Sequence, residues 1–286
     1  MLVNMQQILR DAEDGGYAIG CINTPNLETI RGVLAAAEEV NVPIIIDHAQ
    51  VHDDEQGIKV EVVGPLMVEY AKAAKVPVCV HVDHGSDFSF ILRCLRAGFS
   101  SVMYDLSALP YEQNVEKVKE FTEFAHKAGI SVEAELGIMT LAMGEGWTHE
   151  TIKSTYTDPQ QAADFAERTG VDALAVCFGT AHGIYAEPPI LDIPRVKAIR
   201  EAMPDATRVV MHGGSGVDEE QIREAISAGV SKLNYYSYLG QAATNNMVEM
   251  LKGVGKDLQW HQSQEAQVDF IKAYAKHALT VFKNDN

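Results

Sequence analysis

The sequence predicts an α/β protein, a (β/α)8 TIM barrel with an extra C-terminal helix. Short apolar segments alternate with helix-period segments from end to end of the 286-residue chain. The apolar segments number eight, the count that closes a parallel barrel. No low-complexity linker or shift of composition divides the chain, so one domain spanning 1–286 is expected, a length such barrels commonly fill. An open, doubly wound sheet is the alternative with the same alternation.

The candidate strands fall at 18–22, 42–46, 76–82, 101–104, 131–136, 173–178, 208–212 and 231–234. Between the first two, Leu27, Ile30, Val33, Leu34, Ala37 and Val40 recur at spacings of three and four, one face of a helix. Val115, Val118, Phe121 and Ala125 do the same later. Helix ends are marked as well. Asp158 caps a helix opened by Pro159 and stopped by Gly170, and Asp218 with Gln221 reads as a capping box for a helix ended by Gly229. Residues 238–253 and 262–282 read as two helices after the last strand, the second beyond the barrel repeat. Two connections are long: 138–157, with Gly144 and Gly146, and 49–57. Long loops in a compact domain are usually lids or binding loops.

Composition narrows the class of function. Hydrophobic residues are 47% of the chain, enough for one large core, yet no apolar run approaches the length that crosses a bilayer. The N-terminus lacks the basic-then-apolar pattern of a secretory signal, so a soluble cytoplasmic protein is expected. Acidic residues outnumber basic ones 40 to 23, a net charge of −17 that argues against a nucleic-acid partner. A small phosphorylated ligand, needing only local donors, remains compatible. Cys21, Cys79, Cys94 and Cys177 are scattered without a C-x-x-C, which excludes a disulfide framework or cysteine-rich metal site from the expectation.

In such a barrel the chemistry lies at the carboxyl ends of the strands. There the sequence places Asp83-His84-Gly85, Asp105, Glu133-Ala134-Glu135, Ala181-His182-Gly183, His212-Gly213-Gly214-Ser215-Gly216 and Asn234-Tyr235-Tyr236-Ser237. Any one histidine there is ordinarily a hydrogen-bonded rim or core residue. His84, His182 and His212 at three equivalent strand ends, each beside glycine, suit three imidazoles around a catalytic zinc with one position open. Asp105 and Glu135 are candidates to orient those ligands, to form a second ion site, or simply to pair with basic rim residues. The glycine-rich 212–216 stretch, followed by a capped helix, suits a phosphate, because backbone N–H groups and the helix dipole converge there.

These motifs resemble the class II fructose-bisphosphate and tagatose-bisphosphate aldolases. CINTPNLET (21–29), HVDHGSDF (81–88), SVMYDLSALPYEQNV (101–115), SVEAELG (131–137), GTAHGIY (179–185), HGGSG (212–216) and KLN (232–234) carry the resemblance, which runs from about Tyr17 to Ser237. It implies a zinc-dependent lyase of carbohydrate metabolism that cleaves a ketose phosphate to dihydroxyacetone phosphate and an aldehyde. His84, His182 and His212 would hold the zinc, with Asp105 and Glu135 at an alternative metal or monovalent-cation position. Asp83 would be the acid/base at the aldehyde oxygen. Asn23, Gly183, Gly213, Gly214, Ser215, Asn234, Tyr235, Tyr236 and Ser237 would hold the dihydroxyacetone phosphate half. The resemblance also implies a glutamate proton carrier on the loop after the fifth strand, here Glu145, with Glu150 second, and a homo-oligomer.

The chain departs from that family in four places. Its 140–147 segment reads TLAMGEGW rather than G-G-x-E-D, and Tyr236 replaces a small polar residue. Asp257-Leu258-Gln259 stands where an Asp-Pro-Arg supplies the arginine for a second phosphate. The second strand ends in Asp47-His48-Ala49-Gln50, followed by His52-Asp53-Asp54, where the family is small and uncharged. This end suits a second metal site, a reader of an unphosphorylated substrate end, or a solvated loop. A ketose 1-phosphate is the substrate these departures favour, a bisphosphate the alternative. Two other readings stay open: a Schiff-base aldolase through Lys232, and a sugar-phosphate-binding protein without catalysis.

Overall fold

The computed structural model describes residues 1–55, 58–137, 152–254 and 257–285. Its strands are buried on both faces, as parallel strands covered by helices must be. A two-residue strand, β1 (Leu2–Val3), precedes β2 (Ile19–Asn23), β3 (Ile44–Ala49), β4 (Val78–Gly85), β5 (Ser101–Tyr104), β6 (Ser131–Leu136), β7 (Ala173–Val176), β8 (Arg208–Met211) and β9 (Val230–Asn234). β1 lies against β4. The other eight pair in parallel around a closed ring, in which Cys21 of β2 faces Asn234 of β9 and Val82 of β4 faces Val102 of β5. Closure leaves no strand edge within the ring. The TIM barrel is confirmed and the open sheet is excluded.

Side chains alternate between two cores. Ile45, Cys79, Met103, Ala173, Ala175 and Val210 point into the barrel. There they meet Met5, Ile8, Leu9 and Ala12 of α1 (Met5–Gly15), which plugs the amino ends of the strands. Ile44, Ile46, Val78, Val80 and Val82 point outward to the helix layer. That layer comprises α2 (Leu27–Val40), α3 (Gln50–Glu55), α4 (Val60–Ala73), α5 (Phe88–Ala97), α6 (Tyr111–Lys127), α7 (Pro159–Thr169), α8 (Ile193–Ala202) and α9 (Glu219–Ser227), with α10 (Ser237–Val254) and α11 (Trp260–Phe282) following β9.

The sequence signals at helix ends hold with one change. Asp158 accepts the N–H groups of Gln160 and Gln161, and Gly170 ends α7 at φ 67°. Asp218 likewise accepts from Glu220 and Gln221, but the box is not reciprocal. The Gln221 side chain turns instead to the 189–191 loop, accepting from Leu191 N–H and donating to Pro189 O. β3 and β4 run three residues further than the apolar runs 42–46 and 76–82, because their polar ends belong to the site. All four cysteines are buried and free. Among the described residues no helix is long and apolar enough to cross a membrane.

Candidate active site

The period of two along β4 turns Cys79, His81 and Asp83 into the barrel and would send residue 84 outward. The strand breaks that rule. Its register with β5 shifts between Val82 and Gly85, and His84 adopts φ 47°, a conformation that costs a non-glycine residue energy. The outcome brings the His84 ring to the other two histidines. His84 Nε2 lies 3.2 Å from His182 Nε2 and 3.0 Å from His212 Nδ1.

Carboxylates set which nitrogens face the centre. His84 Nδ1 sits 2.7 Å from Asp105 Oδ2, and His212 Nε2 sits 2.9 Å from Glu133 Oε1. Each acid accepts a ring N–H, leaving lone pairs at His84 Nε2 and His212 Nδ1 aimed inward. With His182 Nε2 as the third nitrogen, lone pairs directed at one point repel unless a positive charge lies among them. Nitrogens on a tetrahedral zinc at 2.0–2.1 Å stand about 3.3 Å apart, close to the spacing found. The second group, His84, Asp105 and Glu135, also has its ligand atoms within 4.8 Å of one another. Among the described residues, Asp83, Asp105, Glu133 and Glu135 bring four carboxyl groups here against one ammonium, that of Lys232, so a dication improves the charge balance. The donor set fits a metal.

The electrostatics agree. Burial disfavours a charged His84 ring, but Asp83, Asp105 and Glu135 outweigh it and hold the group up to about 10. Burial, helped by His84 and His212, holds His182 down to about 3. Burial also lowers His212. The acids favour that positive charge on the His84 ring itself, while burial favours neutral His182 and His212; a metal cation at the centre would take the place of the His84 Nε2 proton.

Asp83 stands beside the trio, 4.0 Å from His84 Nε2. Its two oxygens accept from Asn23 Nδ2 and Asn234 Nδ2, each at 3.1 Å. Burial would raise its pKa, yet His84, His212 and Lys232 keep Asp83 well below the usual carboxylate range. Behind it, Asp47 accepts from Asn23 and from the Cys21 thiol. Burial, then the Asp83 charge, pushes Asp47 well above its ordinary value, so this pair carries one charge between them. Lys232 Nζ donates to Glu133 Oε1 at 3.0 Å and to Asn234 Oδ1 at 2.8 Å. Burial works against its charge, but the surrounding groups, Glu133 and Asp83 among them, hold it above the ordinary lysine range. A buried ammonium that is ion-paired to Glu133 and bonded to Asn234 is not a nucleophile, which removes the basis of the Schiff-base reading.

A cleft of about 420 Å³ opens over these groups. Of the residues picked from sequence, Asn23, Asp83, His84, Asp105, Glu135, His182, Gly183, Gly213, Ser215, Asn234, Tyr235, Tyr236 and Ser237 line it. His212 is fully buried behind that surface, and Gly214 stands outside the lining. The Gly214 N–H is used by Asn234 O, and a Cβ there would lie 2.4 Å from Leu233, so this glycine serves close packing. Glu145 and Glu150 lie outside the described residues. His48 does not reach the cleft: it points outward with Ile44 and Ile46, towards Phe90. Gln259 opens α11, its N–H accepted by the Gln262 side chain, and takes no part in the lining. From sequence, Glu133 stood at its strand end without an assigned role, Asp47 appeared only within the second-strand segment, and His81 was not singled out. For Glu133 the signal existed, since it shares a strand face with Glu135.

The family model for class II fructose-bisphosphate aldolase matches residues 3–286. The chain belongs to the class II fructose-bisphosphate aldolase family. As an aldolase it resembles the YdjI aldolase of Escherichia coli K12, with 35% identity over 100% of this chain and 99% of that one and a TM-score of 0.87. A putative fructose-1,6-biphosphate aldolase from Coccidioides immitis shares 27% identity over 97% and 95% of the two chains, with a TM-score of 0.83. The fold alone is shared with the fructose-bisphosphate aldolase Fba of Campylobacter jejuni, at 23% identity over 100% and 97% of the chains and a TM-score of 0.84.

Proposed function

We propose that this aldolase holds zinc on His84, His182 and His212 and reversibly cleaves a ketose 1-phosphate to dihydroxyacetone phosphate and an aldehyde. The convergence of three ring nitrogens at 3.0–3.2 Å, two of them fixed by carboxylates, carries the reading. When bound, the metal supplies Lewis-acid polarisation of the substrate carbonyl. The chain supplies the rest. Asp83, ionised and held between Asn23 and Asn234, takes the proton from the hydroxyl at the bond that breaks and returns it to the aldehyde oxygen in reverse. Glu145 moves the proton at the carbon of the dihydroxyacetone half. Asp105 and Glu135 offer the second, monovalent-cation position.

Gly183, Gly213 and Ser215, whose hydroxyl accepts the Tyr238 N–H in the first turn of α10, suit one phosphate beside that helix start. Gly214 supports that turn from behind, and Tyr235 and Tyr236 wall the cleft. No lysine or arginine appears in the lining among the described residues, so nothing there answers a second phosphate. The exposed Val248, Leu251, Val254 and Trp260 on the two C-terminal helices support a homo-oligomer. A cytoplasmic enzyme of carbohydrate metabolism completes the reading.

Two measurements test it. Chelation should abolish cleavage, with zinc or cobalt restoring it; full activity in metal-free enzyme refutes the metal mechanism. Across fructose 1,6-bisphosphate, tagatose 1,6-bisphosphate and a panel of ketose 1-phosphates, the absent charged contact should disfavour the bisphosphates in kcat/KM. One such contact is worth about 1.5–3 kcal/mol, or roughly 10- to 150-fold. A bisphosphate as best substrate overturns the assignment.

A further inference from the structure

The segment after β3 is the part of the cleft that the reaction above leaves unused. In a ring of eight strands ordered β2 to β9, β3 stands diametrically across from β7. The proposed phosphate donors follow β7, β8 and β9, and Asp83 ends β4, next to β3. A substrate whose phosphate lies near Gly183 and whose breaking bond lies at Asp83 therefore sends its aldehyde-derived half towards β3. Ala49, Val51 and His52 form that wall.

His52 is the polar group there. Its Nδ1 is buried and has no hydrogen-bond partner among the described residues, although a buried polar atom nearly always has one. Its ring packs edge-on against Tyr236, 5.6 Å between centroids, which fixes its plane. Burial lowers its pKa against the pull of Asp83 and Glu55, so the ring is a neutral donor and acceptor at neutral pH. The helix that carries it is anchored from outside the cleft. Asp53 accepts Val60 N–H at 2.7 Å and Arg93 Nη1 at 2.9 Å, and Gln50 accepts the N–H groups of Ser86 and Asp87.

We infer that His52, braced by Tyr236, is a specificity-determining residue that hydrogen-bonds the hydroxyl groups of the aldehyde-derived half of the sugar. The inference rests on the ketose phosphate reading and adds to it a preference for polyhydroxylated aldehydes. It also accounts for the departure of residues 47–54 from the family pattern.

The experiment runs the reaction in the condensing direction, with dihydroxyacetone phosphate and either glyceraldehyde or propionaldehyde, which has the same carbon count and no hydroxyl. His52→Phe keeps a ring against Tyr236 and removes both nitrogens. It should lower the ratio of kcat/KM for glyceraldehyde to that for propionaldehyde about 3- to 10-fold, the loss of one hydrogen bond. His52→Gln should restore a good part of that ratio, which a merely structural role would not produce. An unchanged ratio in His52→Phe, or an equal ratio in the Phe and Gln variants, overturns the inference. Solvent exchange of the C3 proton of dihydroxyacetone phosphate by the wild-type holoenzyme separates the two levels. Without exchange the ketose phosphate reading fails and His52 with it; with exchange and an unmoved ratio, the His52 role alone fails.

Discussion

Glu133 shows how much of the site is settled by one buried side chain. It accepts from His212 and from Lys232, and Lys232 also holds Asn234, which in turn holds Asp83. One carboxylate thus links the proposed metal ligand and the proposed proton carrier through a chain of four hydrogen bonds. Glu133→Gln keeps the shape but presents a neutral amide to the His212 N–H, weakening the bias towards the tautomer that leaves Nδ1 free. Zinc affinity, measured by competition with a chromophoric chelator, should fall about 10- to 100-fold, the usual effect of losing a partner behind a ligand. Asp83→Ala should separate from it cleanly. That variant keeps all three ring nitrogens, so it should bind zinc with little change and cleave about 10²–10⁴-fold more slowly. A fall of less than tenfold would take the proton-transfer role away from Asp83. Because both tests read a ligand or a rate, neither depends on the identity of the aldehyde.

At the scale of elements, short α3 holds its place through Asp53. That carboxylate is 1% exposed, caps the first N–H of α4 and ties down Arg93, which itself reaches Glu61. Asp53→Ala leaves the buried Val60 N–H without its acceptor and leaves Arg93 with Glu61 alone. Urea denaturation should show a loss of about 1–3 kcal/mol, and limited proteolysis should open the chain first near α3; an unchanged midpoint would mean α3 is held by something else. The same segment shows what the sequence could and could not say. Strands with apolar runs, and caps such as Asp158-Pro159, were legible because local patterns set them. The triad His84, His182 and His212 was legible because each lies at or beyond the carboxyl end of a strand and beside glycine, although the turn of His84 into the barrel was not. The roles of residues 47–54 were not, because they depend on which way each side chain turns. His48 faces the helix layer and His52 the cleft, four residues apart, where a strand gives way to a helix and the period changes from two to 3.6. The capping box at Asp218 failed for a related reason: Gln221 had a tertiary partner at Leu191 that no local pattern reveals.

For the molecule as a whole, the C-terminal helix is part of the barrel wall rather than an appendage. Phe282 is 1% exposed, and its carbonyl accepts the N–H of Ala18 just before β2. Ile271, Ala275, Ala278 and Leu279 bury the rest of its inner face. Its seat on α2 is a glycine: a Cβ at Gly32 would lie 2.6 Å from Ile271 Cγ2 and 2.9 Å from the backbone oxygen of Val268. The second contact is with backbone, so it cannot be relieved by a rotamer change, and α11 would have to shift. Gly253, near the end of α10, is the contrast, with no atom within 4 Å of its virtual Cβ. Replacing a helical glycine by alanine in open space stabilises by up to about 1 kcal/mol, since the unfolded chain loses freedom. Overpacking a tight contact costs about 1–3 kcal/mol. The same substitution should therefore have opposite signs at the two positions: Gly253→Ala raises the melting temperature slightly, and Gly32→Ala lowers it by a few degrees. If Gly32→Ala instead stabilises as much as Gly253→Ala, α11 does not sit on α2 at this distance, and the wall that closes the barrel beside β2 is looser than the contacts of Phe282 imply.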